Sequence, residues 1–222
     1  SGRDQEAERR KSIEQVIAPF RNQISQISLS LFKGSALGVM FGEIQDDFHD
    51  IFLIGPLGSN TTEHIMPGRI LPVVLQEMGI PVMVVPRVPQ EFRSILICTG
   101  AGEPGKSDIR FGGRIAHRIG IPVDILHVQR QGTNGTEKKR VKKNLDKAKR
   151  MLQALQVETQ TRVRTGEVFE EIVRETEEKS YDLIVIGAPF TKTGTPEFHP
   201  TSLIGRLLEK LKIPVIIVPM EE

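Results

Sequence analysis

The chain of 222 residues has no tryptophan, one tyrosine and one cysteine, and aromatic residues make up only 5% of it. A single thiol, Cys98, excludes an internal disulfide and points to a reducing compartment. It lies in an apolar stretch and reads as core rather than as a nucleophile. With so few rings, the core has to be built from Ile, Val and Leu. No apolar run reaches the ~18 residues of a membrane-spanning helix, and no segment has the build of a secretory signal. Charge of one sign is also lacking. Thirty Lys and Arg face 28 Asp and Glu, and a net +2 does not by itself imply nucleic acid or membrane. The histidines at 49, 64, 117, 127 and 199 show no metal-ligand spacing; His127 reads as a strand-end residue. No Ser-His-Asp or paired-carboxylate arrangement emerges from the spacings. The expectation is a cytoplasmic protein, or the cytoplasmic domain of a membrane protein, with no metal and no nucleic-acid partner.

What is present from Arg93 onward is an alternation of strand and helix. RSILICT (93–99) is a continuous apolar run, as a buried parallel strand requires. A helix is expected over 108–119, a strand over 121–128, and a long helix over 137–155. On that long helix Val141, Leu145, Ala148, Leu152 and Leu155 form one stripe. Strand 157–165, helix 168–178, strand 181–187, helix 203–211 and strand 213–219 follow. On the last helix Leu203, Leu207, Leu208 and Leu211 are expected to face inward. This is (βα)4β, and the fold class it predicts is α/β with a doubly wound parallel five-stranded sheet. The basic run EKKRVKKNLDKAKR (137–150) reads as the solvated face of an amphipathic helix, with acidic partners, including a membrane surface, as the alternative.

The first 90 residues echo the second half of this pattern. DIFLIGPL (50–57) resembles DLIVIGAP (182–189), ILPVVLQEMGIPVMVVP (70–86) resembles LIGRLLEKLKIPVIIVP (203–219), and LFKG (31–34) lines up with VRTG (163–166). The offset is 132 residues, then 133 after one insertion. Agreement in register argues for duplication. The expected division is 1–88, a partial copy holding the second half only, and 89–222, a complete domain. PRVPQEF (86–92) is the linker, and its two prolines favour an extended path. The partial sheet would leave an apolar edge beside the strand at 50–55. The chain is therefore expected to be a fragment of a longer protein, or to have that edge covered by another chain.

Between the first strand and helix of the complete copy stands GAGEPGKS (100–107), a match to the phosphate-loop pattern G-x-x-x-x-G-K-[ST]. A working phosphate loop also needs a magnesium-holding Asp at the end of another strand. The strands here end in ILHV and IVIG, and Asp182 stands at a strand start. A Gly-rich turn with Ser107 as helix N-cap explains the same letters. Anion or nucleotide binding without hydrolysis lies between the two, since the loop opens a helix at the carboxyl end of the sheet.

The order of elements, ILI at the opening, ILHV, RTGEVFEEIV, DLIVIG and the closing KIPVIIVP together resemble the universal stress protein family over 93–219, and its later half again over 31–86. The resemblance implies the strand order 3-2-1-4-5 of the adenine-nucleotide alpha-hydrolase-like fold. It implies domains that pair, often through the last strand, either as a homodimer or within one chain, and two subclasses, one of which binds ATP. It implies an Asp in the loop after the first strand; that position is Gly100. It also implies G-x2-G-x9-G-[ST] after the fourth strand. There the complete copy has Gly187, then Phe190 and Thr201 in place of the later glycines, and Ser202, with a loop one residue longer. The partial copy keeps the spacing in Gly55, Gly58 and Gly68, followed by Arg69. The candidate nucleotide- or phosphate-binding residues are Thr99, Gly100, Gly102, Gly105, Lys106, Ser107, Val128, Gly187, Thr201, Ser202, Gly55, Gly58, Gly68 and Arg69, with no catalytic residue. The expected ligand is ATP or another adenine nucleotide, and the expected role is non-enzymatic regulation. The alternatives are the regulatory tail of a membrane transporter and an ATP hydrolase using Lys106 and Ser107.

Overall fold

The computed structural model of the chain describes residues 2–31, 38, 42, 49–55, 71, 74–75, 79–87, 89–101, 108–188 and 202–219. Contacts divide the chain into two units, Ser1–Phe48 and His49–Glu222. In the first, helix α1 (Gly2–Ile17) runs into a 3-10 turn, Ala18–Phe20. Pro19 has no N–H to continue the α-helical ladder. Arg21 closes the turn by donating to Glu14 Oε2 at 2.7 Å.

The second unit holds, in chain order, β1 (Phe52–Ile54), β2 (Val82–Val84), β3 (Ile95–Cys98), α2 (Asp108–Ile119), β4 (Val123–Gln129), α3 (Gly135–Ala154), β5 (Thr159–Thr165), α4 (Val168–Glu178), β6 (Leu183–Gly187), α5 (Leu203–Lys210) and β7 (Val215–Val218). Among the described residues they form one seven-stranded sheet in the order β1-β2-β7-β6-β3-β4-β5. Its β3 to β7 part has the order 3-2-1-4-5 expected from the sequence, and all its neighbours are parallel. The sheet does not stop at β7. It continues into β2, antiparallel, with Val82 opposite Ile217, Met83 opposite Ile216 and Val84 opposite Val215. β1 then lies parallel to β2.

The central strands are apolar at every residue because helices cover both faces. All four residues of β3 and of β7 are buried. Alternation of side chains sends Ile95 and Ile97 into one core layer with Ile109, Ala116, Val141, Leu145, Ala148 and Leu152 of α2 and α3. Leu96 and Cys98 point to the opposite face, covered by α4 and α5. α2 approaches the sheet closely at Gly112 and α3 closely at Gly113. A Cβ at Gly112 would stand 2.7 Å from Ile97 Cδ1, and one at Gly113 would overlap the Leu152 side chain.

Two local details differ from the sequence expectation. α3 starts at Gly135, since the Asn134 side chain accepts from the Glu137 N–H at 2.9 Å and caps the helix there. On α5, Ile204, Leu207 and the following Leu211 are buried, while Leu203 and Leu208 are half-buried. The Ser202 cap sets the phase, and 204, 207 and 211 then share one face.

Away from the apolar layers, β4, β5, α4 and the start of β6 are tied by buried polar groups. Asp124 Oδ2 accepts from Lys179 Nζ at 2.7 Å, from the Tyr181 hydroxyl at 2.7 Å and from Arg162 Nε at 3.1 Å. Glu175, 1% exposed, receives Arg164 Nε at 2.6 Å and lies 2.9 Å from the Tyr181 hydroxyl. Arg164 also pairs with Glu178. Burial pushes the Asp124 carboxyl up. The hydrogen bonds from Lys179 and Tyr181 and the charges of Lys179 and Arg162 outweigh that and hold it below its ordinary 3.8. Burial, then the hydrogen bonds to Asp124 and Glu175, push the Tyr181 phenol up.

Two outcomes follow. Gly113→Ala should destabilise by about 1–3 kcal/mol through overpacking, although alanine favours a helix by about 1 kcal/mol. In a Leu152→Ala background, itself costing about 2–5 kcal/mol, the same change should become neutral or stabilising. Urea unfolding of the four proteins measures this, and additive losses would contradict the close approach. Second, a carboxylate with a depressed folded-state pKa contributes stability above its unfolded value of 3.8 and loses it as pH falls through the lower folded value. Asp124→Asn should therefore lose most stability near neutrality and flatten the acid limb of the stability profile. Parallel acid limbs in wild type and variant would refute it.

Candidate functional site

In a doubly wound sheet the helices diverge where successive connections leave in opposite directions, and a crevice opens at the carboxyl ends of the strands. Here that place lies between β3 and β6, and a cavity of about 250 Å3 occupies it. Cys98, Leu126, Val128 and Ile186 wall it from the sheet, and Val168, Ile172 and Leu203 wall it from α4 and α5. Thr99, Gly100, Gly187 and Ala188 line it where β3 and β6 end, and Asp108 lines it from the first turn of α2.

Asp108 is the only acidic or basic side chain among the described lining residues. It is 7% exposed. Burial pushes its carboxyl above the ordinary 3.8, and hydrogen bonds from the Ile109 N–H and the Thr99 hydroxyl offset only part of that. The Ile109 bond measures 2.7 Å. Cys98, by contrast, stays a neutral thiol. Its burial, with the negative charges of Asp108 and Glu175, pushes its pKa far above the usual range.

The floor of the site is held from three sides. The His127 ring, 7% exposed, places Nδ1 3.0 Å from the Thr99 carbonyl oxygen. A carbonyl only accepts, so Nδ1 carries the hydrogen. The Thr99 hydroxyl accepts from the Ala101 N–H at 3.3 Å, and Asn144 Nδ2 on α3 donates to the Ala101 carbonyl at 3.0 Å. Ala101 is buried with φ of +47°, left-handed backbone that side chains avoid. Asn144 and Thr99 together retain it. At the mouth, the Arg206 guanidinium of α5 stacks 3.8 Å over the Phe169 ring of α4. The same side chain reaches Glu170 at 3.4 Å and Glu167 at 3.7 Å. The two helices whose first residues line the cavity are thereby joined.

Of the candidate residues, Thr99, Gly100, Val128 and Gly187 come together on this cavity. Ser202 stands at the start of α5, where its Oγ accepts from the Gly205 N–H at 3.2 Å and caps the helix. Gly55 is not part of the cavity. It follows β1, and because β2 meets β7 antiparallel, the carboxyl end of β1 points to the opposite edge of the sheet. Gly102, Gly105, Lys106, Ser107, Thr201, Gly58, Gly68 and Arg69 lie outside the described residues. The alternatives that rest on Lys106 and Ser107 lie there as well. The sequence reading missed Asp108, whose one signal was an acid at the first helical position after a Gly-rich loop. It also missed Leu126, Val168, Ile172 and Leu203, whose letters are those of any core residue. Gly100 is not required by the backbone: its φ is not left-handed, and a Cβ there would meet nothing within 4 Å among the described residues. Among the described residues no group of three His, Cys, Asp or Glu is placed to hold a metal ion. No helix among them is long and apolar enough to cross a membrane.

The fold, the strand order and the crevice define a doubly wound module of the stress-protein type. The model of the universal stress protein family matches residues 91–219, more than half of the chain, and the chain belongs to that family. A universal stress protein from Archaeoglobus fulgidus DSM 4304 is similar over 97% of this chain and 79% of its own, with TM-score 0.65 and 14% identity. A candidate universal stress protein from Pseudomonas aeruginosa UCBPP-PA14 is similar over 95% and 78%, with TM-score 0.67 and 14% identity. The Archaeoglobus fulgidus universal stress protein in complex with dAMP aligns over 57% of this chain and 98% of its own, with TM-score 0.44 and 23% identity. No curated protein matches the chain.

The Asp108 environment sets a testable sign. A carboxyl whose folded-state pKa is raised contributes most stability below 3.8 and loses it as pH rises through the higher folded value. Asp108→Asn should raise the unfolding midpoint at pH 7 and remove that decline. An Asp108→Asn protein less stable than wild type at pH 7 would mean that the carboxylate is a structural anchor.

Proposed function

We propose that this chain is a non-catalytic ligand-binding module whose cavity takes the base and sugar of an adenine nucleotide. The observation that carries this reading is the cavity itself: apolar on the walls from sheet, α4 and α5, with one buried carboxylate, Asp108, on the remaining side. Its volume of about 250 Å3 is just below the range of small-molecule pockets, roughly 300–1,000 Å3. That suits a base with part of its sugar and leaves phosphates outside, towards the start of α5 at Ser202. A flat base gains from the apolar walls, and an exocyclic amine adds a further donor to the carboxylate beside those of Ile109 and Thr99. Asp108 orients the base, Val128 and Ile172 cover its faces, and the small residues Gly187 and Ala188 let the backbone approach the sugar. A regulatory role suits the neutral thiol of Cys98 and the absence of a nucleophile–base pair among the described residues.

We also infer that residues 31–86 are the second half of a duplicated domain, which divides the chain into 1–88 and 89–222. The reading is supported by register. The offsets of 132 and 133 carry Phe52, Leu53 and Ile54 onto Ile184, Val185 and Ile186, and Val82, Met83 and Val84 onto Val215, Ile216 and Ile217. Phe52 faces Val82 just as Ile184 faces Val215. In the antiparallel joint Met83 faces Ile216, its own equivalent, so the two halves meet about a local twofold. Domain pairing through the last strand is then made within one chain, and a homodimer is not needed for it.

Differential scanning fluorimetry with AMP, ADP, ATP and IMP tests the ligand reading. AMP and ADP should raise the melting temperature, IMP should raise it less, and Val168→Trp, which fills the cavity, should abolish the response. Asp108→Asn should weaken AMP by about tenfold or more, the worth of a charged hydrogen bond. Gly100→Asp, for which there is room, should keep the fold and tighten or retune binding. No shift with any nucleotide at millimolar concentration would refute the reading, and magnesium-dependent phosphate release from ATP would replace it with the hydrolase.

A further inference from the structure

Helix α3 buries Val141, Leu145, Ala148 and Leu152 against the sheet. Its outward side carries Lys139, Lys143, Lys147 and Arg150 on successive turns, a row about 16 Å long at 1.5 Å per residue. All four are exposed, and exposed Lys138, Arg140 and Lys142 flank them. With half-buried Lys149, eight cations stand on this helix against Glu137 and Asp146 alone. The helix thus has a surplus of six positive charges in a chain whose net charge is +2, which leaves all other residues together net negative by four. Arg140 pairs with Glu137 at 3.6 Å. Among the described residues no acid pairs with Lys138, Lys139, Lys142, Lys143 or Lys147.

Solubility does not explain such a row. Lys139, Lys143 and Lys147 repeat at i and i+4, where like charges destabilise a helix and a Glu in the series would stabilise it. A local cost with no compensating contact inside the chain points outside it. We propose that the outer face of α3 is a docking surface for an anionic lipid bilayer. Three features select a bilayer over a nucleic acid. Six of the eight cations are lysine, a point charge that suits a diffuse sheet of charge, whereas phosphate and base recognition favours the arginine fork. No aromatic residue occurs between 112 and 168, so α3 itself carries no ring to stack on a base. The charges lie in one straight row along the helix, as contact with a flat surface requires. The rest of the chain is net negative, which favours approach to the membrane by this face. Attachment is reversible and electrostatic, about fivefold in partitioning per Lys or Arg brought to the surface, and confined to a Debye length of about 8–10 Å. It does not depend on what the cavity binds.

Co-sedimentation of the full chain with vesicles tests this. The chain should sediment with mixed phosphatidylserine and phosphatidylcholine vesicles at low salt and not with phosphatidylcholine alone. It should be released when salt shortens the Debye length to about 3 Å. The triple variant Lys139→Glu, Lys143→Glu, Lys147→Glu should lose binding by about a hundredfold or more. The gentler Lys139→Gln, Lys143→Gln, Lys147→Gln should lose somewhat less, and both should keep the wild-type circular dichroism. A control with the same charge change elsewhere, Arg87→Glu, Lys210→Glu, Lys212→Glu, should still bind. Failure of the wild type to bind at low salt would overturn the proposal. So would equal loss in the control, which makes net charge the cause, or tighter binding of duplex DNA than of vesicles at the same salt, which makes the partner a nucleic acid.

Discussion

A parallel sheet buried on both faces is the constraint from which the remaining features follow. β3 and β7 carry an apolar side chain at every position, so helices must cover them above and below. The direct way to do this in one chain is to wind outward from β3 in both directions, with α2 and α3 on one face and α4 and α5 on the other. That winding forces the helices apart at the carboxyl ends of β3 and β6. The cavity is therefore a consequence of how the core is closed. Gly112 brings α2 close to the sheet and Gly113 brings it close to α3, and this closeness is what carries Asp108, at the start of the same helix, into the crevice.

The polar groups fall into two sets with different work. Asp124, Glu175, Tyr181, Arg162, Arg164 and Lys179 neutralise and hydrogen-bond one another and fix α4 against β4 and β5. They gather on Asp124 near the amino end of β4, and none of them lines the cavity. Among the described residues Asp108 receives the Thr99 hydroxyl, the Ile109 N–H and its own N–H, and no cation balances it. A fully compensated cluster stabilises, whereas a poorly compensated buried carboxylate is a stability cost that a ligand can recover. The contrast makes Asp108 the candidate functional group although both sets are buried.

Much of the fold was legible because it follows from period. The continuous apolar runs and the 3.6-residue stripes located α2 and α4 to the residue and the strands of the complete copy to within a residue or two. What went astray was set by single side chains: the Asn134 cap lengthened α3, and the Ser202 cap turned Ile204 rather than Leu208 inward. The continuation of the sheet from β7 into β2 was foreshadowed only by the resemblance, since antiparallel pairing of two apolar strands leaves no periodic mark. The site was legible in part. Glycines and a strand-helix junction marked Thr99, Gly100 and Gly187. The walls did not stand out, because a Leu facing a ligand and a Leu facing another Leu are spelled alike. Asp108 was hidden by its place at a helix start, where an acid usually serves the helix dipole.

The central claim is that ligand recognition resides in the crevice between β3 and β6 and is centred on Asp108. Amide chemical shifts of the labelled chain during titration with AMP test it most directly. The account predicts the largest shifts at Gly100, Val128, Gly187 and the first turn of α2, with Asp124 and Tyr181 little changed. Shifts concentrated along α3 between Lys139 and Arg150, with the crevice silent, would contradict it and assign the nucleotide to charge attraction at the basic face.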